Sequence, residues 1–471
     1  MKTRLLYLLG PALFFAIGWL HPFGLSHQGS QVIGLVAWML TWWISEVTPM
    51  AVTALLPILI LPLFGIMKIE DACTPYGDKF VFLFLGGFIM ALAMEKWNLH
   101  RRLALNIVHF TGTGANRIIL GFMLASFLIS MWISNTATAL MMFPIAMSVV
   151  TLLMTDSHHY SEKGKRNFST SLLMSIAYGS SIGGIATLVG SPPNAAMAGI
   201  LQTNHNETVT FFDWMKLGFP FAVALMLITY WLMVKVIFPN KLGKFKLGKE
   251  MINAELNALG SWSKAEKRVF VVFVTTALLW MFQEKIAPLV LPLQIGDVGI
   301  GIAAGIILFF IPANDKREPL LEWKDSEKLP WGILLMFGGG MSLAKAFKQS
   351  GLIESVTHMM DHLDKSNLVF FVSILCLVGL VITALMSNLA MVNIFVPVVA
   401  SLAVAAGKSP ELFAIPVTIA ASCDFMFPMS TPPNAIAYSS GHIKAGDMFK
   451  AGIVLNLVSF LLLTLLVWIA L

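Results

Sequence analysis

Apolar runs separated by short polar stretches fill the chain from end to end. About 20 mostly apolar residues in a helix cross a bilayer. By that measure the pattern predicts transmembrane helices over 5–20, 31–45, 50–66, 80–95, 217–239, 268–290, 295–312, 331–348 and 448–471. A basic amphipathic stretch, His100 to Val108, follows the fourth of these. Two pairs of runs are divided by small polar residues. Ser134-Asn135-Thr136 separates 117–133 from 137–154, and Ser387-Asn388 separates 367–386 from 390–406. Two longer runs, 168–200 and 412–438, are interrupted at Gly190-Ser191-Pro192-Pro193-Asn194 and at Ser430-Thr431-Pro432-Pro433-Asn434.

An unpaired hydroxyl or amide in hydrocarbon costs several kcal/mol, so these polar breaks must face protein, water or a ligand. If each divided pair made two full crossings, its Ser-Asn tip would sit in bulk water. The pairs are therefore read as hairpins that enter and leave on one face, with their tips part-way through the membrane. The expected fold is an all-α polytopic membrane protein with about eleven crossings and two re-entrant helical hairpins. The first run could pass for a signal peptide, but no small-x-small cleavage signal follows it, and it is read as the first transmembrane helix.

The order of motifs repeats. Leu83-Phe84-Leu85-Gly86-Gly87 matches Leu335-Met336-Phe337-Gly338-Gly339, Ser134-Asn135 matches Ser387-Asn388, and Pro192-Pro193-Asn194-Ala195 matches Pro432-Pro433-Asn434-Ala435. With the N-terminus placed in the cytoplasm, the cytoplasmic stretches hold 23 of the 31 Lys and Arg residues. This split satisfies the positive-inside rule and puts the C-terminus outside. It also makes the hairpins enter from opposite faces, so the repeats are inverted. Inverted repeats with broken helices point to a secondary transporter whose site lies near the midplane.

Composition agrees with this reading. The chain is 57% hydrophobic and only 12% charged over 471 residues, about half the charge of a soluble protein. The net charge of +6 is what basic membrane loops supply and calls for no nucleic acid. Cys73, Cys376 and Cys423 have no metal-ligand spacing. No HExxH, GxSxG or acidic metal cluster supports an enzyme, and no continuous acid-lined pore supports a channel. Glu46, Glu95 and His442 are read as structural or surface groups. The basic linker 240–268 is read as a solvated connection between the halves.

Proline removes a backbone donor and frees carbonyls that can hold a bare cation, while helix N-termini and amides hold anions. Ser, Asn and Thr at the hairpin tips add neutral donors for carboxylate oxygens. No Arg or Lys lies in any of the four motifs. The combination suits a small anion carried with cations.

The chain resembles the divalent anion/sodium symporter (DASS) family of di- and tricarboxylate transporters. The likeness is carried by Trp42-Trp43-Ile44-Ser45-Glu46, Val52 to Pro57, Gly86-Gly87-Phe88, Ala91 to Trp97 and His100-Arg101-Arg102, and above all by Ser134-Asn135-Thr136 and Thr431-Pro432-Pro433-Asn434-Ala435-Ile436. It implies a homodimer in a bacterial plasma membrane, moving its substrate by an elevator motion with sodium as coupling ion and no other cofactor. It also implies that Ser134, Asn135 and Thr136 hold one substrate carboxylate and Ser387 and Asn388 the other, with Ser191, Pro192, Thr431 and Pro432 lining the pocket. A first sodium site would use Ser130, Ser134, Asn135 and Gly190, and a second Thr383, Met386, Asn388 and Ser430. The expected divisions are N-terminal, mostly scaffold helices (1–116), first hairpin and broken helix (117–216), scaffold helices and basic linker (217–330), scaffold helix and connector (331–366), second hairpin and broken helix (367–447) and last helix (448–471).

Two residues depart from the family pattern. Leu389 stands where the second hairpin usually has Thr, and Asp424 where an apolar or small residue is usual. A carboxylate inside the membrane is a functional candidate, so Asp424 is a candidate coupling group, with Lys345 a candidate to neutralise it. Both departures fall on the second half. The expectation is therefore fewer coupled sodium ions than the family norm, with sodium-independent dicarboxylate exchange as the limiting case.

Overall fold

A computed structural model describes residues 2–22, 25–112, 114–155, 160–243, 246–290, 296–315, 318–352, 355 and 367–470. The connector expected after 348 lies mostly outside the described residues. The described chain is almost wholly helical, and among its residues the one β-type pairing is an isolated bridge between Pro312 and Pro319.

The first helices are α1 (Lys2–Leu20), α2 (His27–Ser45), α3 (Met50–Thr53), α4 (Leu56–Leu63) and α5 (Ile69–Cys73), and then α6 (Lys79–Lys96) and α7 (Leu99–Thr111). The first hairpin is α8 (Ala115–Ser130) and α9 (Asn135–Thr155), and the first broken helix is α10 (Glu162–Ile185) and α11 (Pro192–His205). α12 (Phe211–Trp231), α13 (Lys246–Ala258), α14 (Lys264–Val290), α15 (Gly296–Phe310) and α16 (Trp331–Gln349) come next. The second hairpin is α17 (Leu368–Thr383) and α18 (Asn388–Ala405), the second broken helix α19 (Glu411–Ser422) and α20 (Pro432–Tyr438), and α21 (Ala445–Ala470) ends the chain.

The two halves interlock crosswise. α8 packs along α10, and α17 along α19; α11 then lies on α18 of the other half, and α20 on α9. This exchange draws both tips and both breaks to one place. Small residues allow the close approaches: a Cβ on Gly183 of α10 would stand 2.2 Å from the Phe127 carbonyl oxygen of α8, as expected where van der Waals packing rather than water drives helix association.

Two expectations are corrected. The run 50–66 is not one helix. Pro57 has no N–H to offer the Thr53 carbonyl, and the helix breaks at Ala54-Leu55, where the Tyr76 hydroxyl donates to the Ala54 carbonyl. The linker 240–268 is not merely solvated either. It contains α13, which buries Ile252 and packs on α7 and α9. Arg102 of α7 staples this region. Its guanidinium donates to Glu266 at 2.7 Å and to the carbonyls of Gly260 (2.9 Å) and Leu259 (3.0 Å).

Candidate binding site at the crossing of the halves

The two tips and two breaks enclose a cavity of about 230 Å³. Every residue expected to touch substrate lines it: Ser134, Asn135, Thr136, Ser191, Pro192, Ser387, Asn388, Thr431 and Pro432. Met50, Ile333, Met336 and Leu389 also line it, together with Pro193, Ser430 and Pro433. Four helices, α9, α11, α18 and α20, start at this cavity. Their first-turn N–H groups have no partner within the helix and carry its positive dipole end. Pro192-Pro193 and Pro432-Pro433 occupy the first turns of α11 and α20, where a missing N–H costs nothing.

A buried hydroxyl lies behind each tip asparagine. Ser130 Oγ donates to Asn135 Oδ1 at 2.8 Å, whereas Thr383 Oγ1, which lies 3.0 Å from Asn388 Oδ1, also has the Ala421 carbonyl at 2.6 Å to take its single proton. The Asn135 oxygen is thereby engaged behind the tip, and both carboxamides line the cavity. Ser134 Oγ accepts from Ala137 N at 3.2 Å and Ser387 Oγ from Ala390 N at 3.3 Å. Each hydroxyl caps its helix as an acceptor and keeps its own proton for a ligand. The cavity therefore presents neutral donors from both ends, and no Lys, Arg, His, Asp or Glu lines it.

Behind the tips lie the residues expected at the cation sites. Asn194 knits the first break, its Nδ2 donating to Gly184 O (2.9 Å) and Thr187 O (2.8 Å). Asn434 does the same in the second, donating to Asp424 O (3.2 Å), Phe427 O (3.1 Å) and Ser430 Oγ (3.3 Å). Ser130 and Thr383 are fully buried behind the tips. A Cβ on Gly190 would stand 2.8 Å from Gly184 O and 3.1 Å from Met131 O, so its backbone runs among oxygens. Met386 is buried beside the second tip. The Oδ1 atoms of Asn194 and Asn434 are buried with no hydrogen-bond partner. Oxygens without partners are what a desolvated cation takes.

Asp424 occupies, in the second break, the place of Gly184 in the first, since the carbonyl of each accepts from the knitting asparagine. It is fully buried, and neither carboxylate oxygen has a hydrogen-bond partner. The Ser430 hydroxyl lies beside it but donates to Phe427 O at 2.8 Å. The expected neutralisation by Lys345 is not made. Lys345 Nζ pairs with Asp71 at 2.7 Å instead, because α16 packs against α5.

A second cavity of about 360 Å³ shares Ser134, Thr136 and Ile333 with the first and runs to Glu95 and Lys328. Sequence reasoning passed over Met50, Ile333 and Met336. Only their nearness to Pro49 and to the Gly338-Gly339 motif could have flagged them.

The model for the sodium:sulfate symporter transmembrane region matches residues 2–471. The sodium-dependent dicarboxylate transporter SdcS of Staphylococcus aureus strains NCTC 8325 and MW2 is 36% identical over 470 residues, spanning 98% of this chain and 90% of the relative. Among solved structures, the YdaH transporter of Alcanivorax borkumensis aligns with a TM-score of 0.58 at 14% identity over 93% of this chain and 98% of that one. MtrF of Neisseria gonorrhoeae aligns with a TM-score of 0.56 at 14% identity over 87% and 83%. At that identity the structures speak to the fold alone. The family and its relatives are transporters, not enzymes. A chain matched over its whole length by the family model, with tips and breaks meeting at one cavity, belongs to the divalent anion/sodium symporter family.

Proposed function

We propose that this protein is a secondary active transporter of small di- and tricarboxylates, of the succinate, malate, fumarate, 2-oxoglutarate or citrate class. The observation that carries the reading is the uncharged cavity lined by the Asn135 amide and Ser134 hydroxyl of one half and the Asn388 amide and Ser387 hydroxyl of the other. Two donor clusters facing one another suit two carboxylates on one short chain. Leu389, Met50, Ile333 and Met336 cover the space between, where a substrate's methylene groups would lie. The likeness to a sodium-dependent dicarboxylate transporter supports both the substrate class and sodium as coupling ion.

In this reading Ser130, Ser134, Asn135 and Gly190 hold a first sodium ion, and Thr383, Met386, Asn388 and Ser430 a second. The hairpins and broken helices move as one body against a dimeric scaffold, an elevator in a membrane with the N-terminus cytoplasmic and the C-terminus outside. Asp424 beside Ser430 and Leu389 at the second tip both bear on the second site. They support fewer coupled sodium ions than the family norm, and sodium-independent exchange is the second reading.

Purified protein in proteoliposomes tests both. Uptake of labelled succinate, 2-oxoglutarate and citrate is measured with and without sodium and with and without internal substrate. Saturable uptake with a sodium Hill coefficient near one is expected. Steep cooperative activation that Asp424→Asn leaves unchanged would return the second site to ordinary behaviour, uptake that needs internal substrate but no sodium establishes exchange, and the absence of saturable uptake refutes the carboxylate reading.

A further inference from the structure

We propose that Lys328 is a waiting point for carboxylates on the cytoplasmic route to the binding cavity, and that Glu95 restrains it. The inference rests on the carboxylate-transport reading above.

The geometry is a passage. The larger cavity is lined by Ser134 and Thr136 of the first hairpin tip and also by Glu95, at the C-terminal end of α6, and Lys328, just before α16. These are the charged residues among its lining; Phe88, Leu92, Leu140 and Ile333 supply much of the rest. Apolar walls focus the field of a charge along such a passage and raise the local concentration of an oppositely charged solute. An anion leaving the tip through this passage therefore meets Lys328 last, and one arriving meets it first.

Among the described residues neither Glu95 nor Lys328 is tied in an ion pair. The neighbouring Lys96 is bound to Asp325 at 2.7 Å. Glu95 and Lys328 line the same cavity, yet among the described residues no ion pair joins them. A lysine in that position can exchange its attraction to Glu95 for one to a passing carboxylate. The arrangement is one-sided. In the repeat register that aligns Gly86-Gly87 with Gly338-Gly339, Lys328 corresponds to Tyr76, whose hydroxyl is tied to the Ala54 carbonyl. The route on the opposite face has no cation at the matching place. The stretch carrying Lys328, 313–330, belongs to the face that charge bias assigns to the cytoplasm.

Removal of the two charges should have opposite effects, which a shared structural role would not produce. Succinate counterflow is measured in oriented vesicles of both sidedness, at fixed sodium, with choline chloride setting the ionic strength. At low salt, Lys328→Gln should raise the half-saturating succinate concentration on the cytoplasmic face about fourfold, the effect of one charge acting on a dianion roughly 10 Å away through water. Glu95→Gln should lower it, the double variant should lie near wild type, and Lys328→Arg should keep wild-type behaviour. All differences should shrink in about 0.5 M salt, where screening acts over a few ångströms. Half-saturation from the outer face should not move. Shifts of the same sign for both variants, shifts that survive high salt, or equal shifts on both faces would overturn the proposal. Wild-type protein that shows no saturable uptake on either face would instead sink the transport reading on which it rests.

Discussion

Replacing Gly184 by alanine should impair ligand binding while leaving the fold intact. Gly184 is the next-to-last residue of α10, and its missing side chain is where the Asn135 carboxamide sits. A Cβ built there would stand 2.4 Å from Asn135 Oδ1, 2.9 Å from Nδ2 and 3.0 Å from Cγ, against an ordinary contact of at least 3.4 Å. The carboxamide must retreat by about 1 Å. Its 2.8 Å bond from Ser130 would then be lost or bent, and the carboxamide would shift within the cavity it lines. Forced overpacking of this kind costs about 1–3 kcal/mol. If the strain appears on ligand binding, affinity should fall about 5- to 150-fold. Gly199→Ala is the control. Its Cβ would meet Met341 Sδ at 2.5 Å, but that is the end of a flexible side chain that can swing aside. The assay is succinate and sodium binding to detergent-solubilised protein by calorimetry, with a melting curve to establish folding. A folded Gly184→Ala protein with wild-type affinity for both ligands would show that Asn135 has room to spare and that the tip amide does not bind them.

Three further outcomes follow from the same geometry. Leu389→Thr adds a hydroxyl to the apolar side of the cavity and should shift preference among C4, C5 and C6 acids in competition uptake; identical selectivity would mean that the side chain makes no substrate contact. Arg102→Gln leaves the buried Glu266 carboxylate without its partner and should destabilise by about 3–5 kcal/mol, whereas Arg101→Gln breaks only a half-exposed pair with Glu255 and should cost no more than about 1 kcal/mol; equal melting temperatures would remove the staple from the account. Cysteines placed at exposed Glu250 and Thr208 should be labelled by impermeant reagents from opposite faces, Glu250 from the cytoplasm, and labelling of both from one face would contradict the assigned orientation.

The site was legible because its ingredients are anomalous where they stand. Ser134-Asn135 and Ser387-Asn388 interrupt apolar runs, and Pro192-Pro193 and Pro432-Pro433 stop helices, so composition alone marks where backbone and side-chain polarity must be used. The spacing of the repeats then implied that the four motifs meet, and they do. What escaped was whatever depends on a partner far away in sequence. Lys345 pairs with Asp71 rather than Asp424 because its position is set by how α16 lies on α5, which no local pattern reveals. Arg102 was one basic residue of an amphipathic stretch until Glu266 and the carbonyls of the 259–260 turn closed on it. α13 has a readable signal in the spacing of Met251, Ile252 and Leu256, set in a stretch rich in lysine. The break at Ala54 needed Pro57 and the distant Tyr76 together.

The absence of formal charge on the cavity wall has a consequence for energetics across the membrane. A carrier that grips anions with arginine is itself a cation when empty, and membrane voltage then acts on its return. Here the wall contributes nothing, so in the elevator reading the loaded step moves the charge of the cargo and any on Asp424. A dianion with two sodium ions crosses without electrical work, while each uncompensated charge is worth about 2.3 kcal/mol per 100 mV. The exception is Asp424, buried behind Ser430 and travelling with the second break in the elevator reading. If it is neutral, the return of the empty carrier is blind to voltage; if ionised, it drags one negative charge with it. The voltage dependence of the unloaded return therefore reports the charge on a single side chain.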